Sequence, residues 1–377
     1  MKRIAAVILT SILIVTHTGA TSLYDGPDGV LETVRGQVSL KRRGWQNYSS
    51  VSEGAPVNRG DLLRVGPNSS AVIRCADGSR RPIPIGDNGV PCSAATGARP
   101  SFLTVVFNTI FRGISLVGAT RGNKPSGVPI VISPRQTKLL RSNPVLRWTA
   151  VTAPSPPTYR VSVKSGITEL WSEEVTGRTE VVYSGRGSQA LRPGESYRLV
   201  VSIKGCQPVT PGDCSSDKEE GVDRAFTILK SEEARQVQDA VAAIRALHLK
   251  EDLTQLLIAK YYAGEGLLAE AVSMLEALSG TTTLPGAQQS LGDAYLSMGF
   301  VRLAEERYRG ALRLAENAND IESQAIAHTA LGGVFLQIGN SAEALRRFQQ
   351  AKALYESLGD QASVEDLNHR ISDVPRP

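Results

Sequence analysis

The sequence predicts a multi-domain chain, all-β over roughly its first two-thirds and all-α over the rest. Three observations carry that expectation. Short alternating runs separated by turn clusters fill residues 25–229, the pattern of small β domains. At Ser231 the apolar period switches to that of helices. Near the C-terminus, Leu291-Gly292, Tyr295, Ala304, Tyr308 and Ala311 recur forty positions later as Leu331-Gly332, Phe335, Ala344, Phe348 and Ala351. Such an echo marks a stacked helical repeat, an architecture that presents surfaces rather than performing chemistry. With 377 residues there is room for two or three such units, each with its own core.

The N-terminus reads as a signal peptide over residues 1–20. Lys2-Arg3 precede an uncharged apolar stretch from Ile4 to Val15, and Thr18-Gly19-Ala20 supply a small-residue exit. The run is shorter than the roughly 20 apolar residues a spanning helix needs, so cleavage near Ala20 is expected rather than an anchor, and no transmembrane span is expected in the mature chain. Export changes how the four cysteines read. Cys75 with Cys92 and Cys206 with Cys214 are two local pairs, and an even count in an oxidising compartment favours two disulfides. Neither pair has the CxxC spacing or nearby histidines of a zinc site.

The net charge of +5 conceals an asymmetry. Residues 101–230 hold 17 basic and 10 acidic side chains, whereas 231–377 hold 13 and 20. Between Asp87 and Glu169 there are ten Lys or Arg and no acid. A basic middle beside an acidic end suggests contact with a polyanion or contact between the two parts.

Residues 25–100 form the first β domain. Gly36-x-Val38, Glu53-Gly54 with Val57, and Arg59-Gly60-Asp61-Leu62-Leu63-Arg64-Val65 come in order. Ser69-Ser70-Ala71-Val72-Ile73 and the hairpin signal Asp77-Gly78-Ser79 follow. This succession resembles the FecR-type domain of bacterial cell-envelope proteins over about one sixth of the chain. The resemblance implies a small β fold and an exported location. The internal span and cytoplasmic segment of a sigma-factor regulator are absent, so no regulatory role follows.

Residues 101–124 are a linker or packing segment. Phe102 to Phe111 is its apolar part, expected either to pack two domains together or to lie at an anionic lipid surface. Residues 125–229 return to β periodicity. The strand Pro144-Val145-Leu146-Arg147-Trp148 and the turn and strand Leu191-Arg192-Pro193-Gly194-Glu195-Ser196-Tyr197 resemble an immunoglobulin or fibronectin-III-like sandwich. That resemblance implies Trp148 as the core aromatic and Tyr197 as a tyrosine corner.

Residues 231–377 are the helical part. Ser231 is the expected N-cap of a joining helix running from Ala234 to Leu247, with Glu232 and Glu233 in its first turn. Three hairpins follow, then a capping helix from Asp360 to Ile371. The second and third hairpins resemble the tetratricopeptide repeat through Gly292, Tyr295, Ala304, Tyr308 and Ala311, and through Gly332, Phe335, Ala344, Phe348 and Ala351. The first departs, with Ala259 for the glycine and Leu275 and Leu278 for the aromatic and the alanine. The forty-residue step exceeds the roughly 34 of the family, so the second helix is expected to extend through Asn317 to Ile321. By family position, Lys260, Gln289, Asp293 and Gln337 are the expected lining of a peptide-binding groove.

No catalytic constellation can be assembled. His17 leaves with the signal peptide, and His248, His328 and His369 stand apart in helical segments. No nucleophile elbow or zinc motif appears, and Gly118 to Ser126 lacks the glycine spacing of a phosphate loop. The expected function is therefore an exported, non-enzymatic, protein-binding scaffold of the bacterial envelope, in the periplasm or secreted. It has a protein or peptide partner, no cofactor, no metal and no nucleic acid. The alternative is a module in which the basic 88–168 region binds cell-wall polymer or anionic lipid.

Overall fold

The computed structural model describes residues 26–92, 101–111, 128–151, 155–206, 214–218 and 225–375. The expected signal segment 1–20, residues 93–100 at the end of the expected first β domain, the linker after Phe111 and the loop 207–213 lie outside them. Eight short strands come first: β1 (Gly29–Arg35), β2 (Val38–Lys41), β3 (Ser49–Ser50), β4 (Pro56–Val57), β5 (Leu62–Val65), β6 (Ser70–Cys75), β7 (Arg80–Ile83) and β8 (Gly86–Gly89). They build two four-stranded sheets, ordered β4-β1-β6-β7 and β3-β2-β5-β8. Alternation decides which side faces in: Leu63 and Val65 are buried while Leu62 and Arg64, which alternate with them, are exposed. Leu31, Val57, Leu63 and Ile73 belong to one core shared by the sheets. Gly78, at φ +87°, turns the β6–β7 hairpin, and the Asp77 carboxylate accepts the Ser79 N–H at 2.8 Å. The disulfide Cys75–Cys92 ties β6 to the segment after β8, with Cα atoms 5.5 Å apart.

A ten-residue helix, α1 (Phe102–Phe111), separates these strands from a second set. That set comprises β9 (Val131–Ser133), β10 (Thr137–Leu139), β11 (Val145–Trp148), β12 (Thr158–Ser165), β13 (Thr168–Thr176), β14 (Glu180–Val182), β15 (Ser196–Ile203) and β16 (Ala225–Ile228). A five-stranded sheet, β10-β16-β15-β12-β13, and a three-stranded sheet, β14-β11-β9, contribute to one core. Trp148, 1% exposed, meets the Tyr159 ring edge-on at 5.4 Å. The Tyr197 hydroxyl accepts the Arg192 N–H at 2.7 Å and donates to Glu195 at 2.9 Å, pinning the turn that precedes β15. The second disulfide joins Cys206 to Cys214.

Eight helices complete the chain: α2 (Ser231–Arg245), α3 (Glu251–Gly264), α4 (Leu268–Ser279), α5 (Pro285–Ser297), α6 (Val301–Asn317), α7 (Ile321–Gln337), α8 (Ser341–Leu358) and α9 (Gln361–Asp373). Two sequence expectations shift here. The N-cap of α2 is Lys230 rather than Ser231, because the Glu233 carboxylate reaches back to the Lys230 N–H at 3.0 Å. The extra residues of the forty-residue step do not carry α6 to Ile321. The helix ends at Asn317, and α7 starts well ahead of Ala325, held there by the Asp320 carboxylate accepting the Ser323 N–H at 3.0 Å. Asn340 and Asp360 cap α8 and α9 in the same way.

Packing explains the echoed residues. A Cβ added at Gly292 would lie 2.5 Å from the Tyr308 ring, and one at Gly332 would lie 2.4 Å from the Phe348 ring. Each glycine is thus the socket for the aromatic of its partner helix, and Ala304, Ala311, Ala344 and Ala351 are fully or almost fully buried around them. Gly333 next door faces open space. Substituting Gly332→Ala should therefore cost about 1–3 kcal/mol by overpacking. Gly333→Ala should be neutral or stabilise by up to about 1 kcal/mol, because alanine is the better helix former. Chemical denaturation of the two variants checks the contrast.

Candidate protein-interaction surface

Stacked hairpins bury their apolar faces against one another, so each end of the stack needs a cover. At the C-terminal end α9 provides it, burying Val364 and Leu367. At the N-terminal end the cover comes from outside the repeats. α1 lays Val106, Phe107 and Ile110 into a cluster with Val237, Val241 and Ile244 of α2 and Leu257, Ile258 and Tyr261 of α3. Gly264 lets the two backbones approach closely, since a Cβ there would stand 2.5 Å from the Thr109 carbonyl oxygen.

This arrangement decides the fate of the expected groove residues. The Lys260 ammonium sits 4.7 Å from the centre of the Phe111 ring, covered by α1, and burial pushes its pKa down. Asp293 accepts from the Tyr308 hydroxyl at 2.8 Å and from the Gln289 amide at 3.0 Å, and burial raises its pKa. A cavity of about 80 Å³, bordered by Phe111, Lys260, Ser290 and Asp293, is what remains between them. Lys260, Gln289 and Asp293 are therefore close together but face α1 or each other. Gln337 lies apart from them, at the end of α7.

The open part of the first-helix surface lies on α7 instead. Ile326 is 40% exposed and Leu336 is 36% exposed. They fall within about a quarter turn of one another around the helix and flank Gly333, which has nothing in front of it. Sequence position alone did not single them out. Their signal is an apolar residue at helix positions whose neighbours on the same side are small or polar.

The first β module closes against the array edge beside α7. The Arg42 guanidinium bonds Asp61 of its own module at 3.0 Å and Glu322 at 3.0 and 2.9 Å. Ser52 donates to Asp320 at 3.0 Å, and Gln46 and Asn47 donate their N–H groups to the Leu358 carbonyl. The second β module holds the other side through Arg147 and Glu276, at 2.8 and 3.3 Å. Several cations of the basic stretch are engaged within the chain: Arg147, Arg160 and Lys164 have carboxylate partners, and Arg135 is buried over the Phe300 ring. Among the described residues no group of three or more His, Cys, Asp or Glu could hold a metal ion, and no helix is long and apolar enough to cross a membrane.

Residues 285–357, which span α5 to α8, match the family model described as tetratricopeptide repeat. These two hairpins are tetratricopeptide repeats. Among the solved structures that overlap the chain are two of putative kinesin light chain TPR-like repeats from Podosopora anserina, one of them a point-substituted form. The substituted form is 19% identical to this chain and the other 18%; each overlap covers 38% of this chain, with 88% and 89% of theirs, and each TM-score is 0.28. No curated protein matches. The α3–α4 hairpin, whose glycine and aromatic are replaced, lies outside the matched segment.

One buried group in the third repeat titrates in an accessible range. Burial, aided by the charge of Arg347 at 3.4 Å, pushes His328 down to about 4. The unfolded chain, with a histidine near 6.5, therefore binds a proton that the folded one refuses. Stability is expected to fall as pH drops from about 6.5 towards about 4, and His328→Gln should flatten that slope. Glu343 adds to that slope only at the acid end of the window. Its pKa is held at about 2, first by the Arg346 hydrogen bonds and then by those of Arg347, so its contribution fades only below about 4.5. Urea titrations of the two proteins at about pH 7, 5.5 and 4.5 check the difference in slope.

Proposed function

We propose that this chain is an exported, non-enzymatic, protein-binding scaffold of the bacterial cell envelope. Tetratricopeptide repeats imply a protein–protein interaction scaffold, and the repeats at 285–357 are the observation that carries the reading. In this reading residues 1–20 are a signal peptide, 25–100 a FecR-like β domain, 125–229 an immunoglobulin-like sandwich and 231–377 the repeat array with its capping helix. The paired cysteines suit an oxidising compartment. Because α1 already covers the first hairpin, the partner is assigned to the α7 surface around Ile326, Gly333 and Leu336.

The test is a crosslinked pull-down from envelope extract with the intact, tagged chain, run beside the double variant Ile326→Glu, Leu336→Glu. Both side chains are partly exposed, so the fold should survive, with a stability change within about 0.5 kcal/mol per site. The expected result is a band captured by the parent chain and depleted about tenfold or more with the variant. Equal capture by both would remove α7 as the contact surface.

A further inference from the structure

The small cavity beneath α1 gathers three polar groups whose hydrogen-bonding capacity the fold leaves open. Its volume is about 80 Å³, and its borders include Lys260 of α3, Ser290 and Asp293 of α5, and Phe111 of α1. Ser290 is 8% exposed, and its hydroxyl has no hydrogen-bond partner among the described residues. Both hydrogen bonds to the Asp293 carboxylate, from Tyr308 and from Gln289, end on Oδ1, which leaves Oδ2 without one. The Lys260 nitrogen has the Phe111 ring at 4.7 Å and no hydrogen bond among the described residues. Lys260 and Asp293 act on one another through space, but neither a hydrogen bond nor an ion pair joins them.

This environment changes what the two groups do. Burial pushes the Lys260 pKa down, against the pull of Asp293, so more of the amine is unprotonated than on an ordinary lysine. Burial pushes the Asp293 pKa up, against its bonds from Tyr308 and Gln289, which makes its carboxylate a better proton acceptor. A desolvated free amine is a nucleophile, and a base stands beside it to take the proton it sheds. The size of the cavity restricts the electrophile to a few heavy atoms. Its adduct must also satisfy two donors, the Ser290 hydroxyl and the O–H that forms on Asp293. An aldehyde gives an imine, whose single nitrogen meets at most one of them. Carbon dioxide gives a carbamate, whose two oxygens meet both.

We propose that Lys260 takes up carbon dioxide and holds it in this cavity as a carbamate. The Nζ lone pair forms a bond to the carbon of carbon dioxide, and one C=O π pair moves onto its oxygen. The proton displaced from Nζ passes to Asp293 Oδ2. Amine, carboxylate and carbon dioxide together carry one negative charge, as do the carbamate and carboxylic acid that replace them. The step therefore adds no charge to a site where charge is costly. One carbamate oxygen then accepts from Ser290 and the other from the Asp293 O–H. Nothing in this site depends on the α7 surface.

The probe is isotopically labelled bicarbonate, in equilibrium with carbon dioxide, applied at neutral pH to the intact chain and to Lys260→Arg and Ser290→Ala. Triethyloxonium converts any carbamate to a stable ethyl ester, and tryptic mass spectrometry locates it, since an ester on Lys260 blocks cleavage there. The expected result is labelled ester on Lys260 of the parent chain and little or none on Lys138 and Lys230, which are exposed. Ser290→Ala should weaken the labelling about fivefold by removing one donor, and Lys260→Arg should lose the ester at this position. An unlabelled Lys260 means that the cavity holds ordered water only, and overturns the proposal. Labelling no stronger than at Lys138 and Lys230 overturns it too, as does labelling that Ser290→Ala leaves unchanged. Melting curves identify any variant that fails to fold, and the comparison of the three lysines within the parent chain then decides the outcome alone.

Discussion

The open end of a helical stack governs this molecule. A first hairpin has no preceding repeat, yet α3 carries Leu257, Ile258 and Tyr261 on the face a predecessor would cover. Left in water, each such side chain forfeits roughly 1.5–3 kcal/mol. The chain covers them with α1, a helix without a single charge, whose Phe107 is fully buried. Close approach depends on Gly264, so the contact is shaped rather than merely greasy. Once α1 is seated there, α2, part of the first β module and the start of the array share one cluster, which includes Val30 and Ala76. The consequence is direct: the face of the first hairpin is occupied by the chain itself, which is why the proposed partner surface is assigned to α7 instead.

The β modules also meet the array through polar contacts. Arg42 is mostly buried and shared between Asp61 and Glu322, and burial raises the pKa of Glu322 against the opposing effect of that arginine. Removing two charges from water costs most of what their attraction returns, so such a bridge specifies geometry more than it adds stability. Asp320 illustrates how closely this seam is drawn: one oxygen caps α7 while the other accepts from Ser52 of the β module.

Much of the architecture was legible because repeats advertise themselves. Gly292 with Tyr308 and Gly332 with Phe348 are socket and plug, and a socket that tolerates no Cβ leaves a mark in any copy of the repeat. Alternation in β2 and β5 and the Asp77-Gly78 turn were legible for similarly local reasons. The interaction surface was less so. Lys260 and Asp293 occupy positions that line a groove in an isolated array, and nothing within the repeat reveals that a helix far earlier in the chain covers them. The bond from Arg42 to Glu322 spans 280 residues and has no local signature at all. Long-range contacts between modules depend on how their surfaces fit, and that information lies in no single stretch of sequence.

The central claim, that α1 is the cover on which the first hairpin depends, is tested most directly by hydrogen exchange on the intact chain and on Phe107→Asp. A charge at a fully buried position should unseat α1. The account requires that amides of α2 and α3 then lose protection together with α1, while α7 to α9, stacked on their own neighbours, keep theirs. If α1 alone exchanges faster and α3 remains as protected as before, the array does not need this cover and the account is wrong.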